Sequence, residues 1–193
     1  MTTHRSKVQE FIQQCSVPIL CSIAFGFFFN QGNVFNRHYP AFQFVMSSII
    51  ASLFYYLLIF VRLRDAFIGL ILLFILTLPI THSTRLAFIL RDIIYITGIG
   101  LSVFIYFFYF KKHSPYNYLY PAIMLAIIYT IFYIVTLGFH LAILRTFGLA
   151  NNAGTLDTIA RAGAYYGGLI GFAVGLGIGI NEGLVNSKKK GMA

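Results

Sequence analysis

Six ionisable residues stand within or at the edges of otherwise apolar runs: Arg91, Asp92, His140, Asp157, Arg161 and Glu182. Charged residues make up only 10% of this chain, and 59% of it is hydrophobic. Ionisable groups held in such surroundings are expensive, and they mark ion paths, proton relays or ligand sites. Arg91, Asp92, His140, Asp157 and Arg161 are expected at similar depth near one membrane face. Asp157 and Arg161 are spaced i, i+4 with the acid first, the favourable order on a helix. Two chemistries fit this cluster. The charges can pair locally and reach toward the headgroups, which is a structural role. Alternatively Arg91 and Arg161, with the free N–H groups opening the last helix, form a receptor for an anionic ligand.

Glu182 falls at the other end of its helix, where a negative charge opposes the helix dipole. It calls for a cation from Arg62, Arg64, Lys111 or Lys112, or else it is a carboxylate that carries a proton. His38, His82 and His140 fall on the same side from three connections, but none has an i, i+4 or H-x-H partner. No metal site is assigned on that spacing. G-x-S-x-G, H-E-x-x-H and phosphate-loop patterns do not occur, so an enzyme is not the favoured reading, and nothing identifies a cofactor.

The elements that position these residues follow from hydropathy. A 193-residue chain this apolar cannot build a water-facing surface, for which soluble domains use about 25% charged residues. Its partner is the lipid bilayer. The formal charge of +9 is spread in short clusters between apolar runs, a topology signal rather than a nucleic-acid surface. Cys15 and Cys21 share the first apolar run and, six residues apart, point away from each other on a helix.

The expected fold is all-α, a single membrane domain of six transmembrane helices over residues 11–29, 40–61, 66–80, 86–110, 119–144 and 159–184. The first run has a basic start like a secretion signal but no small-residue cleavage site, so it reads as a retained anchor. The run 66–80 is short for a bilayer core of about 30 Å, so it borrows polar neighbours, thins the bilayer or is re-entrant. Six spans place Arg5, Lys7, Arg62, Arg64, Lys111, Lys112 and Lys188 to Lys190 on one side. Arg37, Arg85, Arg91, Arg145 and Arg161 fall on the other. The richer side is cytoplasmic by the positive-inside bias, which puts both termini inside, in a plasma (inner) membrane.

The last run carries Gly163, Gly167, Gly171, Gly175, Gly179 and Gly183 at every fourth position, a glycine zipper. Such a stripe lets helix backbones approach closely in lipid. It drifts about 40° per step, so different glycines are expected to face different neighbours. Those neighbours lie within the chain, in a second copy or in other membrane subunits. Function then divides into two readings. One is a transport, channel or intramembrane ligand-binding protein using the outer polar cluster. The other is a non-catalytic subunit or assembly factor that packs into a larger complex through the glycine face. The charge argument sets the first test: tags at the N-terminus, at Lys112 and after Ala193 should be cytoplasmic, and one at Asn151 external. An external C-terminus with an internal N-terminus would leave an odd number of spans.

Overall fold

Apolar runs of about 20 residues in lipid can satisfy their backbone groups only as helices or closed barrels. The computed structural model takes the helical solution; its described residues are 2–29, 40–81, 86–113, 118–146, 160–161 and 163–190. Among them there is no strand. The described residues form six helices in order: α1 (Thr2–Phe29), α2 (Pro40–Phe60), α3 (Leu63–Thr81), α4 (Leu86–Ile105), α5 (Leu119–Thr146) and α6 (Gly168–Lys190). A π-helical turn, Tyr106–Phe110, and a 3-10 turn, Lys111–His113, extend α4, and a second π turn, Gly163–Gly167, leads into α6.

Among the described residues, four stretches are long and apolar enough to cross a membrane: Val8–Phe28, Ile93–Phe110, Leu119–Ala142 and Ala164–Leu184. Val45–Phe60 is a shorter apolar helix. These mark the chain as a membrane protein. Helix α3 begins before the apolar run at residue 66, taking in Arg64 and Asp65, and spans about 28 Å at the helical rise. Asp65 in its first turn suits the dipole there.

Helices consecutive in the chain run antiparallel, as do α1 and α6, while α2 runs parallel to α4 and α6. Phe11 near the start of α1 packs edge-on against Phe60 at the end of α2, with ring centroids 5.7 Å apart. Phe54 of α2 meets Phe67 early in α3, and Phe67 meets Phe104 late in α4. Tyr95 early in α4 meets Tyr133 in the second half of α5. Phe25 at the end of α1 reaches Phe172 at the start of α6. The core sits where α2 and α6 meet their neighbours, with Ala51, Phe54, Tyr55, Ala173, Val174 and Ile178 all inaccessible. Leu20, Phe28, Leu76 and Phe139 stand on the outside, apolar surface that lipid rather than water would cover. Buried hydroxyls bond back into their own helices, Ser22 to the Pro18 carbonyl, Ser52 to Ser48 and Ser102 to Gly98. That local bond is how a hydroxyl avoids an unpaired state without water.

The tightest seam joins α5 and α6. A Cβ added at Gly171 would fall on the backbone of Leu125 and Ala126, and one at Gly175 on Pro121 and Ala122. At Gly179 it would strike the Tyr118 backbone, at Gly183 the Tyr118 ring, and at Gly167 the Tyr129 carbonyl oxygen at 2.8 Å. The expected division of the stripe among several neighbours therefore does not occur for these five glycines. The reason lies on the partner. Tyr118, Ala122, Ala126 and Thr130 also recur every fourth residue, so the contact line on α5 drifts along with the stripe. Gly163 lies in the π turn, with its contacts outside the described ones. Gly177, off the stripe, faces the Pro18 backbone of α1 instead.

This seam predicts a contrast. Gly171→Leu drives a side chain into backbone and should abolish the monodisperse peak in mild-detergent gel filtration. Gly138 has open space at its Cβ position, so Gly138→Ala should stay within about 1 kcal/mol of wild type in stability. A monodisperse, stable Gly171→Leu protein would contradict the seam.

Candidate functional site

Consecutive residues on a helix point about 100° apart. With Gly175, Gly179 and Gly183 turned onto α5, Asn181 is carried to the far side of α6 and Glu182 to its flank, both within reach of α2. Two adjacent tyrosines of α2 meet them. The Tyr55 hydroxyl donates to Glu182 Oε1 at 2.5 Å, and Asn181 Nδ2 donates to the Tyr56 hydroxyl at 2.7 Å. The two tyrosine rings stand nearly perpendicular, 5.2 Å apart. Tyr55 and Tyr56 are almost wholly buried.

The third wall comes from the end of α4. In its π turn the backbone N–H of Lys111 donates to the Tyr106 carbonyl five residues back. The extra residue in that turn stacks Lys111 over Tyr106, where an α turn would place residue 110. Lys111 Nζ lies 3.5 Å from Glu182 Oε1, above the rings of Phe107 at 4.8 Å and Tyr55 at 5.1 Å. The cation therefore has a carboxylate and two aromatic faces. Of the four cations open to Glu182 by sequence, the structure selects Lys111. The Lys111 and Glu182 side chains are 31% and 30% exposed, so the pair opens on one side at the end of the bundle. Tyr106, inaccessible to solvent, places its ring 6.1 Å from Tyr55, and its hydroxyl has no hydrogen-bond partner among the described residues.

The expected outer cluster is described only in part. His140 is half-buried on α5 with its ring edge-on to Tyr95 of α4, centroids 6.1 Å apart. Arg161 is exposed just before the second π turn. The side chains of Arg91 and Asp92, and all of Asp157, His38 and His82, lie outside the described residues. Tyr55, Tyr56 and Asn181 escaped the sequence reading. Their partners lie 127 and 125 residues away, and the only local trace is a Tyr-Tyr pair in one apolar run and an Asn-Glu pair in another.

No protein family matches the chain, nor does any curated protein or solved structure. Function has to be argued from the side chains.

A charge-assisted hydrogen bond to a buried tyrosine contributes about 1.5–3 kcal/mol, and a half-exposed ion pair about 0–1 kcal/mol. Tyr55→Phe should therefore lower stability more than Lys111→Met. In a double-mutant cycle Tyr55→Phe and Glu182→Gln should couple. Thermal unfolding in detergent reads both, and additive effects would dissolve the Tyr55–Glu182 contact.

Proposed function

We propose that this chain is a transport-type membrane protein in which Glu182 takes up and releases a proton or small cation within the bilayer. One observation carries the reading: a carboxylate stands at the end of an apolar helix bundle, bonded to the buried Tyr55 and paired with Lys111. Intramembrane carboxylates of this kind serve ion and proton pathways. The chemistry is a competition. Ionised Glu182 accepts from Tyr55 and neutralises Lys111. Once protonated it holds Lys111 no longer, and the ammonium is freed toward the open side. Proton arrival is thereby tied to movement at the end of α4, where the π turn already departs from regular helix.

In this proposal the chain crosses the membrane six times, with both termini and the Glu182 site on the cytoplasmic side of a plasma (inner) membrane. The antiparallel order of the helices and the clustering of Lys111, Lys112 and Lys188 to Lys190 near that end support it. At the opposite end His140, with Arg91, Asp92, Asp157 and Arg161, would serve ligand entry. The alternative, a subunit that assembles through its glycine face, draws less support. Gly167, Gly171 and Gly175 are closed by α5 of the same chain, and Gly179 and Gly183 by Tyr118 just before it.

The test is flux. Purified protein in liposomes carrying a pH-sensitive dye should collapse an imposed proton gradient in the presence of a permeant counter-ion. Glu182→Gln should reduce that rate at least tenfold while the protein stays monodisperse. Wild-type flux in a folded Glu182→Gln protein would remove Glu182 from the pathway and end this reading.

A further inference from the structure

The end of the bundle that holds Lys111 also carries cations that Glu182 does not engage. Arg62 precedes α3, Arg64 lies in its first turn, and Lys112 follows Lys111 at the end of α4; all three are exposed. Among the described residues, the Arg62 and Lys112 side chains have no hydrogen-bond or ion-pair partner. Arg64 gives its Nε–H to Asp65 Oδ1 at 3.2 Å, with the two side chains 84% and 44% exposed. The donors on its two terminal nitrogens remain for another acceptor. Three cations against one carboxylate leave this rim positive.

Helices α3 and α4 lie side by side below it. Phe67 early in α3 meets Phe104 of α4, with ring centroids 5.9 Å apart. From that contact Arg64 lies about 4.5 Å toward the end of the bundle, and Lys112 about 12 Å in the same direction. Arginine and lysine arms are long enough to converge over that step. Beneath the charges the surface is apolar. Arg64, Ile68, Ile71 and Ile75 recur at i, i+4, i+7 and i+11, one face of α3, and the three isoleucines are about half exposed. On α4, Phe108 is exposed and its ring lies 4.5 Å from Phe104.

This pattern selects an occupant. A soluble anion would use the cations and leave the apolar faces uncovered. A zwitterionic lipid would bring its own cation against the same rim. An anionic phospholipid matches both parts, since arginine pairs readily with phosphate oxygens and acyl chains cover exposed isoleucine and phenylalanine. We propose that the start of α3 and the end of α4 form a binding site for an anionic phospholipid. Its phosphate is held by Arg62, Arg64 and Lys112, and its acyl chains lie along the exposed faces of the two helices. The site stands apart from the proton reading, because Lys111 stays with Glu182.

The test offers the purified protein, in mild detergent, equimolar phosphatidylglycerol and phosphatidylcholine with the same acyl chains. Native mass spectrometry then reads which lipid is retained. Wild type should hold phosphatidylglycerol over phosphatidylcholine by at least about fivefold. Arg62→Gln, Arg64→Gln and Lys112→Gln together should bring that ratio within about twofold. Lys188→Gln, Lys189→Gln and Lys190→Gln together remove the same formal charge from α6 and should leave the ratio unchanged. Added inorganic phosphate should not displace the lipid. If the first triple variant aggregates on gel filtration, Arg62→Gln with Lys112→Gln keeps the Arg64–Asp65 pair and should still lower the ratio. Equal retention of the two lipids by wild type, equal loss in both triple variants, displacement by phosphate, or an unchanged ratio in the double variant would each overturn the site.

Discussion

The close approach of α5 and α6 is the constraint on which the other contacts depend. Where two backbones meet without side chains between them, neither helix can rotate or slide without a clash. Gly171 against Leu125 and Ala126, and Gly175 against Pro121 and Ala122, fix the rotation of α6 about its axis. Everything else α6 presents is then determined by the helical period. Gly177 and Asn181 are four apart on the far face, and they receive Pro18 of α1 and Tyr56 of α2 respectively. The missing side chain at Gly177 leaves room for the proline ring, and Glu182, one residue beyond Asn181, is aimed at Tyr55. The glycine seam is thus what holds the carboxylate in place.

The helical class was legible because backbone satisfaction in lipid leaves few choices and the apolar runs are long. Contacts between helices were another matter. The period of a stripe shows which residues share a face, but not which helix covers it. Counting drift on α6 alone led to the expectation of several partners. The four-residue repeat Tyr118, Ala122, Ala126 and Thr130 was present in the sequence, though less visible because alanine and threonine stand where α6 has glycine. Lys111 was among the cations foreseen for Glu182, since charge complementarity narrows the choice. Tyr55 and Tyr56 could not be foreseen, because a tyrosine in an apolar run reads as core or as interfacial belt. Only the tertiary fold reveals that its hydroxyl has a charged partner.

Charged and neutral polar groups are distributed differently in the bundle. The Glu182–Lys111 pair lies where it is part-exposed, so each charge keeps some contact with the outside. A pocket between α2, α4, α5 and α6, beside Gly98, Ser102 and Thr136, is lined by neutral side chains alone. This matches the energetics of a low-dielectric interior, where a neutral hydrogen bond is tolerable and an isolated charge is not. The serine and threonine hydroxyls that bond back to their own helices belong to the same economy, because each needs nothing from a neighbour.

Stability alone gives a poor reason for the Glu182–Lys111 pair. An ion pair of this exposure contributes about 0–1 kcal/mol, and apolar residues of similar volume often replace buried ion pairs with no loss. The structural contribution of Glu182 is instead its bond to the buried Tyr55 hydroxyl, which a leucine at 182 would leave without an acceptor. The site also carries features an anchor does not need. The carboxylate is bonded to a tyrosine hydroxyl from the buried side and faces a lysine on the open side. That lysine follows a π turn and rests on two aromatic rings. The lysine ties the carboxylate to the end of α4, and the tyrosine ties it to α2. The Glu182 site thus joins a part-open charge pair to an irregular helix end, whereas the glycine seam joins backbone to backbone.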